Sequence, residues 1–427
     1  LSVSSGTVGS ETLNVNGTGT LLAGGVGSRT ITDTSGLSLA NGSNGGIGSN
    51  YTLTGGTHSL TINPLPLTIT GTKVYDGDNE VHAATPEAQI QNLISGENVL
   101  FSGFARSDSE DVGTNINVGT INTWALADQT HAASNYTFSG GNLKINITQR
   151  EILLTGTKTY DGNTDAASST ITRMAAQGTF TAPGSGSNTS NFNTGLVSGG
   201  VTYFLPINVA DSHSDRETLS ISGTGTANSK DVSSASILSS NGTLALGNGS
   251  NGGLASNYKI TLSSGNHLYT VTQKPLGLSG SKVYDGTDVV LASELPTVSG
   301  LIGSETVVTG SQTTTAGSTA TKKNVANNVT ITSNASGITL ANGSNGGLAA
   351  NYTLTGGTHQ VNITKAPITI GLTRQYDGTT NASSNATDSN TTESYSGLVG
   401  SETLTLTGQG SVASKNVSGS SQSVTLG

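Results

Sequence analysis

The sequence predicts an all-β protein made of tandem small domains, each an antiparallel β-sandwich or a β-grasp-like sheet. Apolar and polar residues alternate in short runs such as NVTITS at 328–333 and NYTLTGG at 351–357, which gives each strand one buried and one solvated face. Clusters of Gly, Asn and Ser separate the runs and predict turns. The same motifs return along the 427 residues, which indicates that one domain type is repeated.

One segment departs from the strand pattern. In TPEAQIQNLIS at 85–95, apolar residues stand at Ala88, Ile90 and Leu93, and Pro86 occupies a plausible first-turn position. This segment therefore predicts a short helix, as a minor element of the β-rich chain.

Two motifs define the repeat. Tyr-Asp-Gly occurs four times, and the tyrosine of an Asn-Tyr pair stands 24 to 26 positions before the tyrosine of each copy. Successive Tyr-Asp-Gly motifs are 85, 124 and 92 residues apart, so the unit has about 85 to 95 residues and one copy carries an insertion. The motif residues are Tyr75, Asp76, Gly77, Tyr160, Asp161, Gly162, Tyr284, Asp285, Gly286, Tyr376, Asp377 and Gly378, with Asn50, Tyr51, Asn135, Tyr136, Asn257, Tyr258, Asn351 and Tyr352.

These motifs divide the chain into five segments. The predicted boundaries are 1–63 (the C-terminal portion of a repeat), 64–149, 150–274 with an insertion near 174–216, 275–366, and 367–427 (the N-terminal portion of a repeat). Only two to four residues separate the last strand of one repeat from the first strand of the next, and prolines are common there. Such short, stiff linkers predict an elongated rod.

Further motifs recur inside the repeat. A loop that begins NGSNGG appears at 41–46, 248–253 and 342–347. Gly-Ser-Glu-Thr occurs at 9–12, 303–306 and 400–403, and weaker versions are SGENV at 95–99 and DRETL at 215–219. A basic residue stands two positions before each Tyr-Asp-Gly tyrosine, namely Lys73, Lys158, Lys282 and Arg374. We expect its stem to cover the tyrosine ring.

Composition excludes several function classes. The chain has 10% charged residues, a net charge of −9 and no cysteine. The absence of a basic stripe argues against nucleic acid, and the absence of cysteine leaves neither disulfides nor a zinc-thiolate site. With no apolar run of about 20 residues, a membrane span is not predicted. We expect a soluble segment of a longer protein, without a cofactor.

The repeated Tyr-Asp-Gly has two interpretations. In the first, the tyrosine packs on the core of its own repeat, Gly supplies a positive φ and Asp binds the amides of a tight turn. In the second, the turn holds a cation, because Asp76, Asp78 and Glu80 alternate as in calcium-binding loops. Later copies lose these carboxylates, so a calcium site would be confined to the first copy.

Catalytic residues are not predicted. His58, His267 and His359 hold one repeat position, and His213 has acidic neighbours only in sequence. The insertion contains a concentration of aromatic residues, which predicts either a hairpin packed on its own domain or a partner-binding surface; they are Phe180, Phe192, Tyr203 and Phe204. Trp124, the single tryptophan, is expected in the core rather than on a sugar-binding platform.

The ordered set of motifs carries a family resemblance. LTITGTKVYDG, a Gly-Ser-Glu-Thr turn, a Lys-Asn-Val or Lys-Asp-Val segment and NYTLTGGTHSLTI resemble the YDG and MBG repeats of very large bacterial exoproteins. Those proteins are adhesins of the filamentous haemagglutinin type, exported by two-partner secretion. The resemblance implies secretion, an extracellular, cell-surface or biofilm-matrix location, and a stalk of β domains.

Two functional hypotheses follow. In the first, the chain is a structural stalk or fibre segment that supports adhesion, and chains associate laterally in some assemblies. In the second, it is a binding module whose repeated loops or insertion recognise matrix polysaccharide, cell-surface glycans or proteins. The segments 1–63 and 367–427 each carry a Gly-Ser-Glu-Thr turn and the strands after it, so joining them would supply those strands twice. We therefore expect these segments to be cut from a longer array and to fray.

Overall fold

In the computed structural model, the regular secondary structure of the described residues is almost entirely β-strand, which confirms the predicted fold class. Helical structure in the described part of the chain consists of three-residue 3-10 turns: Gly48–Asn50, Ala133–Asn135, Ser168–Thr170, Ala255–Asn257, Ala292–Glu294 and Ala349–Asn351. Within that same part, the helices are too short and too polar to cross a membrane. The structure describes residues 1, 3–176, 179–181, 189–191, 195–198, 201–203, 217–250, 252–261, 267–311, 318–331 and 338–426.

The repeat at 64–149 contains one large sheet and one two-stranded sheet. In the sheet, neighbouring strands are Glu80–His82, Phe104–Ser107, Gly113–Thr120, Tyr136–Thr148, Leu65–Thr70 and Gln89–Ile90, and Thr72–Val74 also pairs with Tyr136–Thr148. The second sheet joins Val99–Ser102 to Ala125–Asp128. Trp124 packs edge to face on Phe101 at 5.1 Å and donates from Nε1 to the carbonyl oxygen of Val81 at 3.0 Å, so it lies in the core as expected.

The repeat at 275–366 has the same arrangement in shorter strands. Its strands are Lys274–Pro275, Gly277–Val283, Val289–Val290, Thr297–Ser299, Val307–Ser311, Ser318–Thr319, Ala326–Thr330, Ile338–Asn342, Tyr352–Thr353 and His359–Thr364. Four of them form a sheet in the order Thr297–Ser299, Gly277–Val283, His359–Thr364, Ala326–Thr330. Its buried core contains Leu278, Val290, Val329, Val361 and Ile363.

The other three segments are also built of short strands. In 150–274 they are Arg150–Thr159, Asp165–Ala167, Ile171–Ala176, Thr179–Thr181, Thr189–Asn191, Gly195–Ser198, Val201–Tyr203, Thr218–Ser222, Thr224–Ala227, Ser233–Ser240, Ala245–Asn248, Tyr258–Ile260 and Leu268–Thr272. The segment 1–63 contains Leu13–Gly17, Thr20–Leu21, Gly27–Asp33, Leu37–Asn41 and Ser59–Ile62. The segment 367–427 contains Thr369–Arg374, Asn381–Ser383, Thr391–Ser396, Gln409–Val412 and Val424–Leu426.

The sheets are mixed rather than purely antiparallel. In each complete repeat, the first strand runs parallel to a neighbouring strand from the C-terminal part of the same repeat. Gly277–Val283 and His359–Thr364 are one such pair. Parallel neighbours require a crossover connection, and the intervening hairpins of the repeat supply it. Alternation of apolar residues predicts strands on a half-buried sheet but carries no information on strand direction, so the sequence could not predict this pairing.

The predicted helix at 85–95 is wrong. The carbonyl oxygen of Pro86 accepts a hydrogen bond from the Thr72 amide at 2.8 Å, and Gln89–Ile90 pairs with Ile69 and Thr70 as an edge strand. Ile90 and Leu93 then pack against the core around Leu67, Val99 and Tyr136. A single isolated helical turn is costly to nucleate, whereas an edge strand forms on an existing sheet.

The compact units of the chain do not coincide with the sequence repeats. One unit comprises Leu1–Thr155, Ala167–Gly225 and Ser240–His267, and the other comprises Gly156–Ala166, Thr226–Ser239 and Leu268–Gly427. The division falls inside the repeat at 150–274. Within each unit, therefore, parts of successive repeats pack together.

Candidate functional site

Each Tyr-Asp-Gly forms the tight turn that the sequence predicts. The glycines have φ between 77° and 82°. This left-handed conformation strains any residue that has a Cβ. The aspartate Oδ1 accepts the amide of the residue two positions later, at 3.0 Å for Asp285 with Thr287 and 2.9 Å for Asp377 with Thr379. The turn therefore stabilises itself and places a carboxylate at the end of the first strand.

The basic residue two positions before the tyrosine fills this turn. Lys158 is buried, and its Nζ donates to Asp161 Oδ1 at 2.8 Å and to the carbonyl oxygens of Asn163 and Asp165 at 2.8 and 2.9 Å. Lys282 and Arg374 bind the aspartates of their own turns. A protein cation thus lies inside the ring of turn oxygens. From the sequence we expected the aliphatic stem of this basic residue to cover the tyrosine ring. The sequence did not predict that its charged group binds the oxygens of the turn.

The predicted calcium ligands Asp76, Asp78 and Glu80 bind basic side chains of the protein instead. Lys73 Nζ lies 2.9 Å from Asp76 Oδ1 and also binds Asp78, while the Glu80 carboxylate binds Arg106 at 2.6 Å. Burial raises the pKa of Asp76 to about 7, against the opposing charge of Lys73. Burial alone would lower the pKa of Lys73, but Asp76 and Asp78 reverse this effect and raise it. The ammonium group supplies the positive charge that a bound metal ion would bring to these oxygens.

The Tyr-Asp-Gly tyrosines reach the following repeat. Tyr75 of the repeat at 64–149 donates its hydroxyl to Glu217 Oε1 of the repeat at 150–274, and Tyr258 donates to the other oxygen of Glu217. The two rings meet edge to face, with 5.4 Å between their centroids and 79° between their planes. One carboxylate therefore receives a tyrosine from each of two repeats. We call this arrangement the Tyr-Glu-Tyr junction.

The Tyr-Glu-Tyr junction recurs with the same geometry. Tyr160 donates to Glu305 Oε1 at 2.7 Å, Tyr352 donates to Glu305 Oε2 at 2.5 Å, and the rings lie 5.4 Å apart at 80°. Tyr284 donates to Glu402 in the same way. The expectation that each tyrosine packs on its own repeat was incomplete: Tyr284 does pack against its own core, but its hydroxyl binds the next repeat.

The glutamates come from the Gly-Ser-Glu-Thr turn and its weaker versions. In the segments 1–63 and 64–149, Glu11 and Glu97 receive the Asn-Tyr tyrosine of their own segment, Tyr51 and Tyr136. Sequence reasoning recorded this glutamate as a landmark but gave it no role. The signal that could have identified its role is one glutamate in every copy of the motif together with two recurring tyrosines per repeat, because a buried tyrosine hydroxyl needs a hydrogen-bond partner.

The asparagines of three Asn-Tyr pairs, Asn135, Asn257 and Asn351, form a second contact with the preceding segment. Asn351 accepts the Val232 amide at 2.8 Å and donates to Asp231 Oδ1 at 2.8 Å, and Asn257 binds Val112 and Asp111 likewise. Asn135 accepts the Val26 amide at 3.1 Å. Asn257 and Asn351 are fully buried, so these side chains replace water with partners from the preceding repeat. Asn50 lies in the short 3-10 turn before Tyr51.

The NGSNGG loop supports the glutamate. Thr306 follows Glu305, and its Oγ1 accepts the Ser344 amide at 2.7 Å, while Asn345 donates to the carbonyl oxygen of Ser304 at 2.9 Å. A Cβ on Gly347 would lie 1.8 Å from the carbonyl oxygen of Thr306. The loop therefore grips the glutamate turn by its backbone, which explains why its sequence is nearly the same in three copies.

The repeated histidines also serve the fold. His359 Nδ1 accepts the Leu278 amide at 3.2 Å, and its Nε2 lies 2.7 Å from the carbonyl oxygen of Leu354. His267 makes the equivalent pair of contacts with Leu154 and Thr261, and His58 Nε2 contacts the carbonyl oxygen of Leu53. A ring that accepts at Nδ1 and donates at Nε2 bridges two backbone segments. His213 lies outside the described residues.

The aromatic residues of the insertion are only partly described. Phe180 belongs to the strand Thr179–Thr181, which pairs with Thr189–Asn191, and Tyr203 ends the strand Val201–Tyr203. The side chains of both residues, and Phe192 and Phe204 altogether, lie outside the described part of the structure. The predicted partner surface therefore stays a prediction.

The electrostatics of the Tyr-Glu-Tyr junction keep the tyrosine hydroxyls protonated. Burial raises the pKa of Glu217, although the two tyrosine hydroxyls lower it. Burial and the Glu305 carboxylate raise the pKa of Tyr352 to about 12, and they also raise that of Tyr160. The phenols stay protonated and donate, and the carboxylate accepts. Among the described residues, His, Asp and Glu side chains do not gather in threes as a metal site would need.

We expect Tyr160→Phe to weaken the junction between the repeats at 150–274 and 275–366. Removing the hydroxyl leaves Glu305 Oε1 buried without its donor, which should cost about 1–3 kcal/mol. Hydrogen exchange around 158–162 and 303–306 measures the loss. Tyr376→Phe is the control, because Tyr376 is 63% exposed and its change should stay within about 0.5 kcal/mol. Equal effects of the two substitutions would contradict the assigned role.

Gly347→Ala should destabilise the repeat at 275–366 by roughly 1–3 kcal/mol, because the new methyl group displaces the backbone of Thr306. Gly310→Ala is the matched control in the same repeat, since its Cβ would meet Thr339 Oγ1 at an ordinary 3.7 Å. Urea denaturation of both variants makes the comparison. Indistinguishable midpoints would show that the loop does not grip the glutamate turn.

Alkaline pH should loosen the junction. The pKa of Tyr352 is about 12 in the folded protein and about 10 in an unfolded chain, so its stabilising contribution is complete below pH 10 and is lost as pH rises toward 12. Urea denaturation from pH 9 to 11.5 should therefore show stability falling more steeply in the unmodified chain than in a Tyr160→Phe/Tyr352→Phe variant. Parallel pH profiles would refute this account.

Comparison with known proteins yields one match. The YDG domain model matches residues 61–143, 270–362 and 360–427, which together make up more than half of the chain. Searches of curated proteins and of solved structures return no match. The matched ranges contain Tyr75, Tyr284, Glu305, Tyr352 and Glu402, while Tyr160, Glu217 and Tyr258 lie between the matches. The chain therefore belongs to the YDG domain family.

Proposed function

We propose that this chain is a structural stalk or fibre segment of an extracellular bacterial adhesin. The observation that supports this most is the Tyr-Glu-Tyr junction: the residues that recur in every repeat are used to hold the next repeat. A tyrosine from one repeat and a glutamate from the following one meet at three successive positions, at Glu217, Glu305 and Glu402. In a motif that served catalysis or ligand binding, these side chains would need to be available to a substrate or ligand, whereas here they bind each other.

The resemblance to large bacterial adhesins supports the extracellular setting. YDG repeats of those proteins belong to exoproteins of the filamentous haemagglutinin type, and export by two-partner secretion is part of this proposal. Absence of cysteine suits a chain that crosses an outer-membrane pore unfolded. On this account the chain is not an enzyme and needs neither cofactor nor metal, and it connects an adhesive region to the cell surface or biofilm matrix.

The alternative is a glycan- or partner-binding module. The NGSNGG loops offer it little support, because Ser344 and Asn345 are bound to the turn that carries Glu305. The insertion near 174–216 is the remaining candidate surface, for a matrix polysaccharide or a cell-surface glycan or protein. A glycan array probed with the whole chain tests this alternative, and saturable binding would favour it over a purely structural stalk.

Small-angle scattering tests the stalk directly. A compact repeat of about 90 residues is about 35–45 Å long. We expect a maximum dimension above about 130 Å for the chain, since the junctions should keep its repeats extended. Replacing Glu217 and Glu305 by Ala should broaden the distance distribution while the repeats stay folded. A compact particle in the unmodified chain would refute the stalk.

A further inference from the structure

The first and last strands of a repeat form a parallel ladder. In the repeat at 275–366, Leu278 faces His359 and Val283 faces Thr364, with the four residue pairs between them in continuous register. The Tyr284 amide extends the ladder at one end by donating to the carbonyl oxygen of Thr364 at 2.9 Å. At the other end, the Leu278 amide donates to His359 Nδ1 at 3.2 Å.

The other complete repeats share this ladder. At 64–149, the strand Tyr136–Thr148 runs parallel to Leu65–Thr70 and then to Thr72–Val74. The Tyr75 amide donates to the carbonyl oxygen of Thr148 at 2.9 Å, as Tyr284 does to Thr364. At 150–274, the last strand, Leu268–Thr272, lies next to the first strand, Arg150–Thr159, and the Tyr160 amide donates to the carbonyl oxygen of Thr272 at 2.8 Å. The strand before it, Tyr258–Ile260, pairs in parallel with Arg150 to Ile152. The ladder is therefore a property of the repeat and not of one copy.

Strand direction decides how a pulled repeat breaks. The chain enters the repeat at the start of the first strand and leaves it at the end of the last strand. Because these strands are parallel neighbours, the two points lie at opposite ends of one ladder. Tension along the chain then loads all of the ladder's hydrogen bonds at once, in shear. In a two-stranded antiparallel ladder, the same points would share one end and the bonds would break one after another.

We propose that each complete repeat is a mechanical clamp that resists tension along the chain. Side chains brace the clamp: Thr364 Oγ1 donates to the carbonyl oxygen of Lys282 at 3.2 Å, and the ammonium group of Lys282 binds Asp285 in the adjoining turn at 2.9 Å. The covalent path between repeats leads directly from one clamp to the next. This function goes beyond connecting repeats, since it concerns the force that each repeat withstands.

Single-molecule force spectroscopy on the whole chain tests the clamp, and the lack of native cysteine permits specific attachment. A Pro275→Cys/Lys365→Cys variant applies force across the ladder in shear. A Val283→Cys/Lys365→Cys variant applies force at one end and unzips it. All three positions are exposed, so both variants should melt at the temperature of the unmodified chain. Released lengths of roughly 30 nm, from the extended-chain reach of about 80–90 residues, identify the repeat.

We expect the unfolding force in shear to exceed the unzipping force at least twofold at the same loading rate, because forced unfolding depends on the barrier that the intact ladder presents. Equal forces, or a lower force in shear, would overturn the clamp. This comparison is independent of the proposed stalk. A compact particle in scattering would refute the stalk without changing the expected ratio of forces. An extended particle with equal forces would support the stalk and refute the clamp.

Discussion

One buried carboxylate that accepts two tyrosine hydroxyls is the interaction on which the arrangement of repeats depends. A lone carboxylate is costly to bury, and two hydroxyl donors from opposite sides offset that cost only when both repeats are in place. Glu217 and Glu305 each meet this requirement with one tyrosine from their own repeat and one from the repeat before. The junction is therefore conditional: a repeat without its neighbour leaves an acceptor partly unsatisfied.

The other motifs can be understood as support for this carboxylate and for the tyrosine that reaches it. The NGSNGG loop holds the backbone beside the glutamate, and the lysine-filled turn fixes the end of the strand that carries the tyrosine. The asparagine next to the second tyrosine binds the preceding repeat, as Asn351 does through Asp231 and Val232. Because each element positions another, a composition dominated by small polar residues, with 4% aromatics, still builds a defined interface.

Much of the fold could be predicted from the sequence, and the junction could not. Alternating apolar residues and the period of the motifs predict β repeats, and Tyr-Asp-Gly predicts the turn that Asp285 and Gly286 form. The helix at 85–95 failed because pairing of Ile90 with the sheet outweighs a local helical preference. The partners Tyr75 and Glu217 lie 142 residues apart, and no local rule of spacing connects residues in different repeats. Strand direction is likewise a property of the connections and not of the pattern.

The mismatch between compact units and sequence repeats has a consequence for how such genes can be cut and recombined. The boundary between the two units passes through the repeat at 150–274, so the half of a repeat that carries Tyr160 belongs to a different unit from the half that carries Glu217. A segment excised at the sequence boundaries separates its Tyr-Asp-Gly tyrosine from the glutamate of the next repeat. Duplication of any whole number of repeats, by contrast, recreates one complete junction for each repeat added, so the array can lengthen or shorten without any new interface having to evolve.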